Sequence, residues 1–299
     1  MGETDTAGFA DLCIVTAVNV EFKIAAGLLS GKSFSEEPPW ERRHPCLRGS
    51  RQEPLTEVRR QGCLRSQGLK ICRGFFGARR ITVLQSGLGA VGFAERLAKH
   101  LANNRYDALI VAGLAGGLDP KLRAGDAVLY DLCYDARAIE SGRPEQPARE
   151  RAAVIASDNA WSGFLFEALT KSDLSFIQAS GATVNRIIAE AKDKLALGAR
   201  YGAAAVDMET YEALIACARF DLPAATLRVI SDEAGRDIPD FNPAYDANGQ
   251  MNDWMNRWVN AWRMAVAMMA RPFAAFRFLL SVRRALKSLR ENLLVALNA

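Results

Sequence analysis

The sequence predicts an α/β protein, a largely parallel sheet with helices on its faces, followed by a helical C-terminal extension. Three observations lead there. Residues 12–18, 109–112 and 224–232 are apolar runs of strand length, the composition of strands covered on both faces. Residues 12–18 precede a helical pattern through Ile24, Leu28 and Leu29, and residues 80–85 precede a glycine turn and the helical stretch 94–101, so strand, turn and helix alternate. The run 224–232 ends in a bare acid, Asp232, and open α/β sheets place ligand groups at such carboxyl ends.

Composition narrows the class. A chain of 299 residues can bury a substantial core, and one large domain at 11–235 with a tail at 251–299 is the expected division. Six cysteines (Cys13, Cys46, Cys63, Cys72, Cys133, Cys217) show no metal-ligand spacing, and the N-terminal stretch lacks a signal-peptide pattern. A cytoplasmic protein with reduced thiols, no metal centre and no cofactor is expected. The formal charge of +4 is uneven: residues 33–79 hold ten Lys/Arg against five Glu, and residues 251–299 hold eight against two acids. A basic insertion and a basic tail therefore flank an acidic remainder, which bears on partners rather than on fold. No nucleic-acid-binding motif accompanies them, and none is expected as a partner.

In chain order, Glu21 falls just past the first strand, where an acid can point into a cleft. The insertion 33–79 is rich in Arg, Pro and Gly and reads as a loop, except that residues 69–73 and 80–85 flank a glycine turn and read as a hairpin. Ser86-Gly-Leu-Gly89 lets backbone N–H groups approach a ligand closely, but it lacks the full dinucleotide fingerprint. After the strand at 109–112, Gly113 to Leu118 offers a wall without bulky side chains, and Gly125-Asp126 turns into a further strand. Residues 137–150 read as a loop, 161–169 as a helix, 176–181 as a strand and 187–197 as an amphipathic helix. Glu209 opens a helical pattern through Leu214 and Cys217, which sets its carboxylate near a helix N-terminus. A polar linker then leads to the tail. There Trp254, Trp258 and Trp262 recur every four residues, Pro272 breaks the helix, and Leu279, Val282, Leu286, Leu289, Leu293 and Leu297 share one face. Arginines interrupt every apolar run long enough to span a bilayer, so the tail is expected to lie on a surface rather than cross one.

Ser86-Gly-Leu-Gly89, Ala112-Gly-Leu-Ala-Gly-Gly-Leu118, Gly125-Asp126, Val206-Asp-Met-Glu209 and Arg228-Val-Ile-Ser-Asp232 follow the order seen in purine nucleoside phosphorylases and methylthioadenosine/S-adenosylhomocysteine nucleosidases. Over roughly residues 11–235 the chain resembles that superfamily. The resemblance implies a three-layer α/β/α sheet and cleavage of a purine N-glycosidic bond, with adenine as the base. It implies that Asp232 protonates N7 of the leaving base, oriented by Ser231, and that Glu209 binds the ribose hydroxyls. Met208 would pack against the sugar, Glu21 would activate the attacking water, and Arg228 would assist the nucleophile. Ser86, Gly87 and Gly116 would border the substrate. One departure stands out: the family carries an aromatic residue just after Ser180-Gly181 to stack on the purine, whereas this chain has Ala182-Thr183-Val184-Asn185, leaving Val184 or Asn185 to line the base pocket.

A raised pKa from burial would suit Asp232 as a proton donor. Hydrolysis and phosphorolysis both stay open, the latter with inorganic phosphate as co-substrate. The core with its basic amphipathic extension is also similar to the hopanoid-biosynthesis-associated phosphorylases, which implies a lipid-linked adenosyl substrate and contact with the inner face of a membrane. The same tail suits a subunit interface in a homodimer or larger homo-oligomer. A non-catalytic nucleoside-binding module is the alternative of a different class.

Overall fold

The computed structural model describes residues 10–37, 69–87, 92–137, 153–242 and 257–299. Its strands are β1 (Asp11–Thr16), β2 (Ser30–Glu36), β3 (Lys70–Phe76), β4 (Arg79–Gln85), β5 (Ala108–Gly117), β6 (Ala127–Asp135), β7 (Val154–Ala156), β8 (Phe176–Thr183), β9 (Ala205–Asp207) and β10 (Ala224–Asp232). Its helices are α1 (Asn19–Gly27), α2 (Phe93–Asn103), α3 (Asn159–Thr170), α4 (Ala191–Tyr201), α5 (Thr210–Ala218), α6 (Arg257–Ala270) and α7 (Pro272–Asn298).

All strands join one mixed sheet, and β5 is its hub. Residues 108–111 of β5 pair in parallel with β1, residues 109–116 pair in parallel with β10, and Gly116 and Gly117 pair with β9. Because β10 also pairs with β6, β6 with β8 and β8 with β9, five strands close into a ring, from which β1, β4, β3 and β2 extend. The carboxyl ends of β1, β5 and β10 therefore open into the same region.

Alternation along the central strands feeds two cores. Leu12, Ile14, Ile110 and Leu227 face α1, α3 and the second half of α7, while Cys13, Val15, Leu109, Val111 and Ile230 face α2 and α5. This is the three-layer α/β/α arrangement expected.

Three elements depart from the expected bounds. Most of β2 lies inside the stretch read as a loop. Its residues are all exposed and show no alternation, because it is an edge strand held by backbone pairing with β3. The rest of the insertion, 38–68, lies outside the described residues, as do Cys46 and Cys63. β8 runs on through Thr183, two residues beyond the glycine where the strand was expected to stop. The helix expected at 187–197 is α4, which starts at Ala191. The Asn242 side chain accepts from Ile187 N (2.9 Å) and donates to Ile187 O (2.8 Å), and Ile238 N donates to Ala189 O (2.9 Å), so this backbone bonds across rather than along a helix.

The tail joins the domain through half its length. Pro272 begins α7, where its missing N–H costs nothing, and α7 turns 116° from residues 264–270. Ala285, Leu289, Leu293, Ala296 and Leu297 are buried in the core on the α1 side of the sheet, whereas Phe273, Phe276, Leu279 and Leu280 are exposed. Leu279 thus leaves the apolar face predicted for it. Trp254 and the Trp258 side chain lie outside the described residues, and Trp262 is exposed. No single helix among the described residues is long and apolar enough to cross a membrane. Since Leu289 is fully buried, Leu289→Ala is expected to destabilise the whole domain by about 2–5 kcal/mol. Denaturant titration checks this, and a loss below about 0.5 kcal/mol would show that α7 is not part of the cooperative unit.

Candidate active site

Glu21 is the third residue of α1, and its side chain folds back over the turn that leaves β1. Oε2 accepts hydrogen bonds from Ala17 N (3.0 Å) and Val18 N (3.1 Å), and Oε1 accepts from Leu114 N (2.8 Å) on β5. The carboxylate therefore ties β1, α1 and β5 together. Gly113 makes room for it, since a Cβ there would meet Arg228 Nη1 at 2.6 Å and Glu21 Oε1 at 2.9 Å. Burial raises the Glu21 pKa above its ordinary value, against the opposing pull of Arg228 and the three N–H donors.

Arg228 sits on β10, fully buried, beside a hydroxyl and two acids. Nε and Nη2 donate to Thr210 Oγ1 (3.2 and 2.9 Å), and the guanidinium lies 3.4 Å from Asp207 and 3.6 Å from Glu209. Burial works against its charge, but Asp207, Glu209 and Glu21 outweigh burial and its pKa is raised. Arg228 is not among the residues lining the cavity. It therefore lies behind the acids as their counter-ion, outside the cavity lining.

Asp207 organises this layer and was missed as a site residue. Its Oδ1 accepts from Glu209 N (3.0 Å), Thr210 N (2.9 Å) and Thr183 Oγ1 (3.0 Å), and Oδ2 accepts from Thr210 Oγ1 (2.6 Å). Those bonds satisfy backbone donors at the start of α5 and set Glu209 at its N-terminus. The acid within Val206-Asp-Met-Glu209, two residues before Glu209, was the available signal.

Asp232 ends β10 and is buried. Its Oδ1 accepts from Ser231 Oγ at 2.6 Å, and Ser231 Oγ also lies 3.1 Å from Ala115 O. Its Oδ2 accepts from Nζ of Lys194, a fully buried residue of α4. A cation is thus in direct contact with Asp232. Lys194 was not singled out, although it shares the inward face of α4 with Gly198 and Tyr201, and a lysine on an inward face is the signal that marks it.

These groups meet in one cavity of about 230 Å³. Glu21, Asp207, Glu209, Ser231, Asp232 and Arg186 contribute polar atoms, and Gly116, Val184, Val206 and Met208 form one wall. Ile187, Ile188, Ile238, Phe241 and Phe278 form an apolar wall, in which Phe241 and Phe278 pack with ring centroids 5.5 Å apart. Phe278 belongs to α7, so the C-terminal extension reaches the site. Gly116 is tightly placed, since a Cβ there would lie 3.1 Å from Val206 and 3.4 Å from Asp232 Oδ2.

Of the sequence-derived candidates, Glu21, Gly116, Val184, Met208, Glu209, Ser231 and Asp232 line the cavity. Ser86 and Gly87 do not. The Ser86 hydroxyl bonds to Thr16 O (3.1 Å) and Gly87 O (2.9 Å), and residues 88–91 lie outside the described residues.

A family model described as the phosphorylase superfamily matches residues 46–259. The chain is 27% identical over 197 residues to a 5′-methylthioadenosine/S-adenosylhomocysteine nucleosidase of Marinomonas sp., covering 64% of this chain and 83% of that protein. It is 30% identical over 206 residues to the protein of the same name from Glaesserella parasuis, covering 64% and 81%. Among solved structures, a Helicobacter pylori methylthioadenosine nucleosidase mutant with 5′-methylthioadenosine in its active site superposes with a TM-score of 0.60 at 16% identity, covering 96% of this chain and 98% of that one. Futalosine hydrolase of Helicobacter pylori gives 0.59 at 17% identity, covering 94% and 96%. At these identities the structural likeness concerns the fold.

Proposed function

Because the chain belongs to the phosphorylase superfamily, we propose that its cavity binds a purine nucleoside and that the enzyme cleaves the N-glycosidic bond by hydrolysis, releasing adenine. Glu209 holds the ribose hydroxyls, Met208 packs against the sugar, Asp232 delivers a proton to N7, and Glu21 takes the proton of the attacking water. Bond cleavage passes through an oxocarbenium-like state. Protonating the base as it leaves and deprotonating water as it arrives lower that barrier from both sides. The observation that carries this reading is the convergence of Glu21 and Asp232 on one cavity, with Glu21 clamped by three backbone N–H groups. Hydrolysis is favoured over phosphorolysis because a phosphate would meet, among the described residues of the lining, four carboxylates, Glu21, Asp207, Glu209 and Asp232, against one cation, Arg186, while Arg228 is already neutralised behind them.

The 5′ end of the nucleoside, in this reading, meets the apolar wall of Ile187, Ile188, Phe241 and Phe278. Phe278 sits between Phe276 and Leu279, both exposed, so an apolar 5′ substituent passes from the cavity onto an outward apolar face. This supports a lipid-linked adenosyl substrate taken from an anionic surface, with Phe273 and Phe276 at the boundary and Arg277 on head groups. Basic residues near such a surface contribute about 1 kcal/mol each, and salt screens them. The test is adenine release from adenosine, methylthioadenosine and an adenosyl compound with a long 5′ alkyl chain, alongside co-sedimentation with phosphatidylglycerol vesicles. The alkyl compound is expected to give the highest kcat/KM, and vesicle binding is expected to fall as salt rises and to drop at least tenfold in the Phe273→Ser, Phe276→Ser double variant. Equal use of the three nucleosides, no vesicle binding, and a double variant that changes from dimer to monomer would assign the face to a subunit interface instead.

A further inference from the structure

Lys194 has no part in the reading above, yet it is fully buried directly behind the proton donor. It projects from α4, outside the cavity lining, and its three ammonium protons have three acceptors: Asp232 Oδ2, Arg236 O (3.0 Å) and Glu233 O (3.4 Å). The other charged groups here have partners of their own. The Glu233 carboxylate pairs with Arg236 at 3.0 Å and Arg123 at 3.4 Å, and Asp237 pairs with Arg271 at 3.0 Å. Asp232 is thus the only carboxylate among the described residues that pairs with Lys194 within ion-pair distance. A proton for the leaving base therefore has a source one hydrogen bond behind Asp232.

Resting on the hydrolytic reading of this cavity, we propose that Lys194 is a positioning residue that supplies, through Asp232, the proton taken by the departing purine. As the C1′–N9 bond breaks, its electron pair passes into the base. N7 takes a proton from Asp232, and Asp232 takes one from Lys194 Nζ, leaving a carboxylate beside a neutral amine. The attacking water forms the new C1′–O bond and loses a proton to Glu21. Solvent exchange then removes the proton from Glu21 and restores one to Lys194, so water is the only reagent consumed.

The test separates proton supply from simple support. Arginine keeps the charge but does not surrender a proton in proteins, and methionine has neither the charge nor the proton. Lys194→Arg and Lys194→Met are each assayed on adenosine, whose base must be protonated, and on 4-nitrophenyl β-D-riboside, whose phenolate leaves without a proton. The quantity read is the ratio of the two kcat values within one sample, in which any loss of folded enzyme cancels. Both variants are expected to lower the adenosine-to-nitrophenyl ratio about 100-fold, a typical share for general acid help, with KM for adenosine changed less than threefold. A ratio unchanged in Lys194→Arg, whatever happens to the absolute rates, would make Lys194 a structural anchor and overturn the proposal. If the parent enzyme releases no adenine from any nucleoside, the hydrolytic reading itself fails and takes this inference with it.

Discussion

Asp232→Asn is expected to lower the rate of adenine release by about 10²–10⁴-fold, the range for losing a general acid. The amide still accepts from Ser231 Oγ but has no carboxylic proton to give. It also leaves the Lys194 ammonium buried without its counter-charge, and breaking a buried pair from one side typically costs about 3–5 kcal/mol. Loss of turnover alone would therefore be ambiguous, so the variant is assayed below its melting transition and also with a 4-nitrophenyl riboside. Retained cleavage of the nitrophenyl substrate with collapsed adenine release identifies Asp232 as the proton donor to the base. Equal loss on both would make it a folding residue, and undiminished adenine release would remove it from the mechanism.

Glu21→Gln is expected to cost turnover on a comparable scale while leaving affinity for a non-cleavable nucleoside analogue within about threefold, because the carboxylate serves the water rather than the nucleoside. Titration calorimetry against the analogue makes the comparison. The amide NH₂ must face a backbone N–H of Ala17, Val18 or Leu114, which accounts for an expected stability loss of about 1–3 kcal/mol. The parent's pH profile offers a second check. Burial raises the Glu21 pKa above 4.5, and a base works only when deprotonated, so the acid limb of kcat/KM should have its midpoint above 4.5. The stability linkage has the matching sign. With the folded pKa above the unfolded value, the folded state binds the extra proton between the two. This contribution is fully present below the unfolded value and is lost as pH rises through the folded one.

The ends of β1 and β10 were legible in the sequence because a buried parallel strand leaves a continuous apolar run, and the acid that breaks the run marks its carboxyl end. Glu21 and Asp232 follow from that logic, and Glu209 from the helix it begins. Lys194 was not singled out because it matters through a partner distant in sequence, 38 residues away, whereas the signal for Asp207 lay beside Glu209, whose backbone N–H it binds. The acids that neutralise Arg228 lie on other elements, so its pairing was not legible in the sequence either. β2 was invisible because an edge strand needs only backbone partners. The start of α4 was displaced because Asn242 claims the backbone of Ile187. In α7 the leucine periodicity was real, but the helix leaves the core partway along, so one face is buried at Leu289 and open at Leu279.

The central claim is that Glu21 and Asp232 form a water-delivering, base-protonating pair in one cavity. It is tested most directly by incubating the parent enzyme with methylthioadenosine and inorganic phosphate in H₂¹⁸O and identifying both products by mass spectrometry. The account predicts free adenine and a methylthioribose carrying one ¹⁸O at C1, at a rate independent of phosphate. A sugar 1-phosphate without ¹⁸O, formed only when phosphate is present, would contradict it.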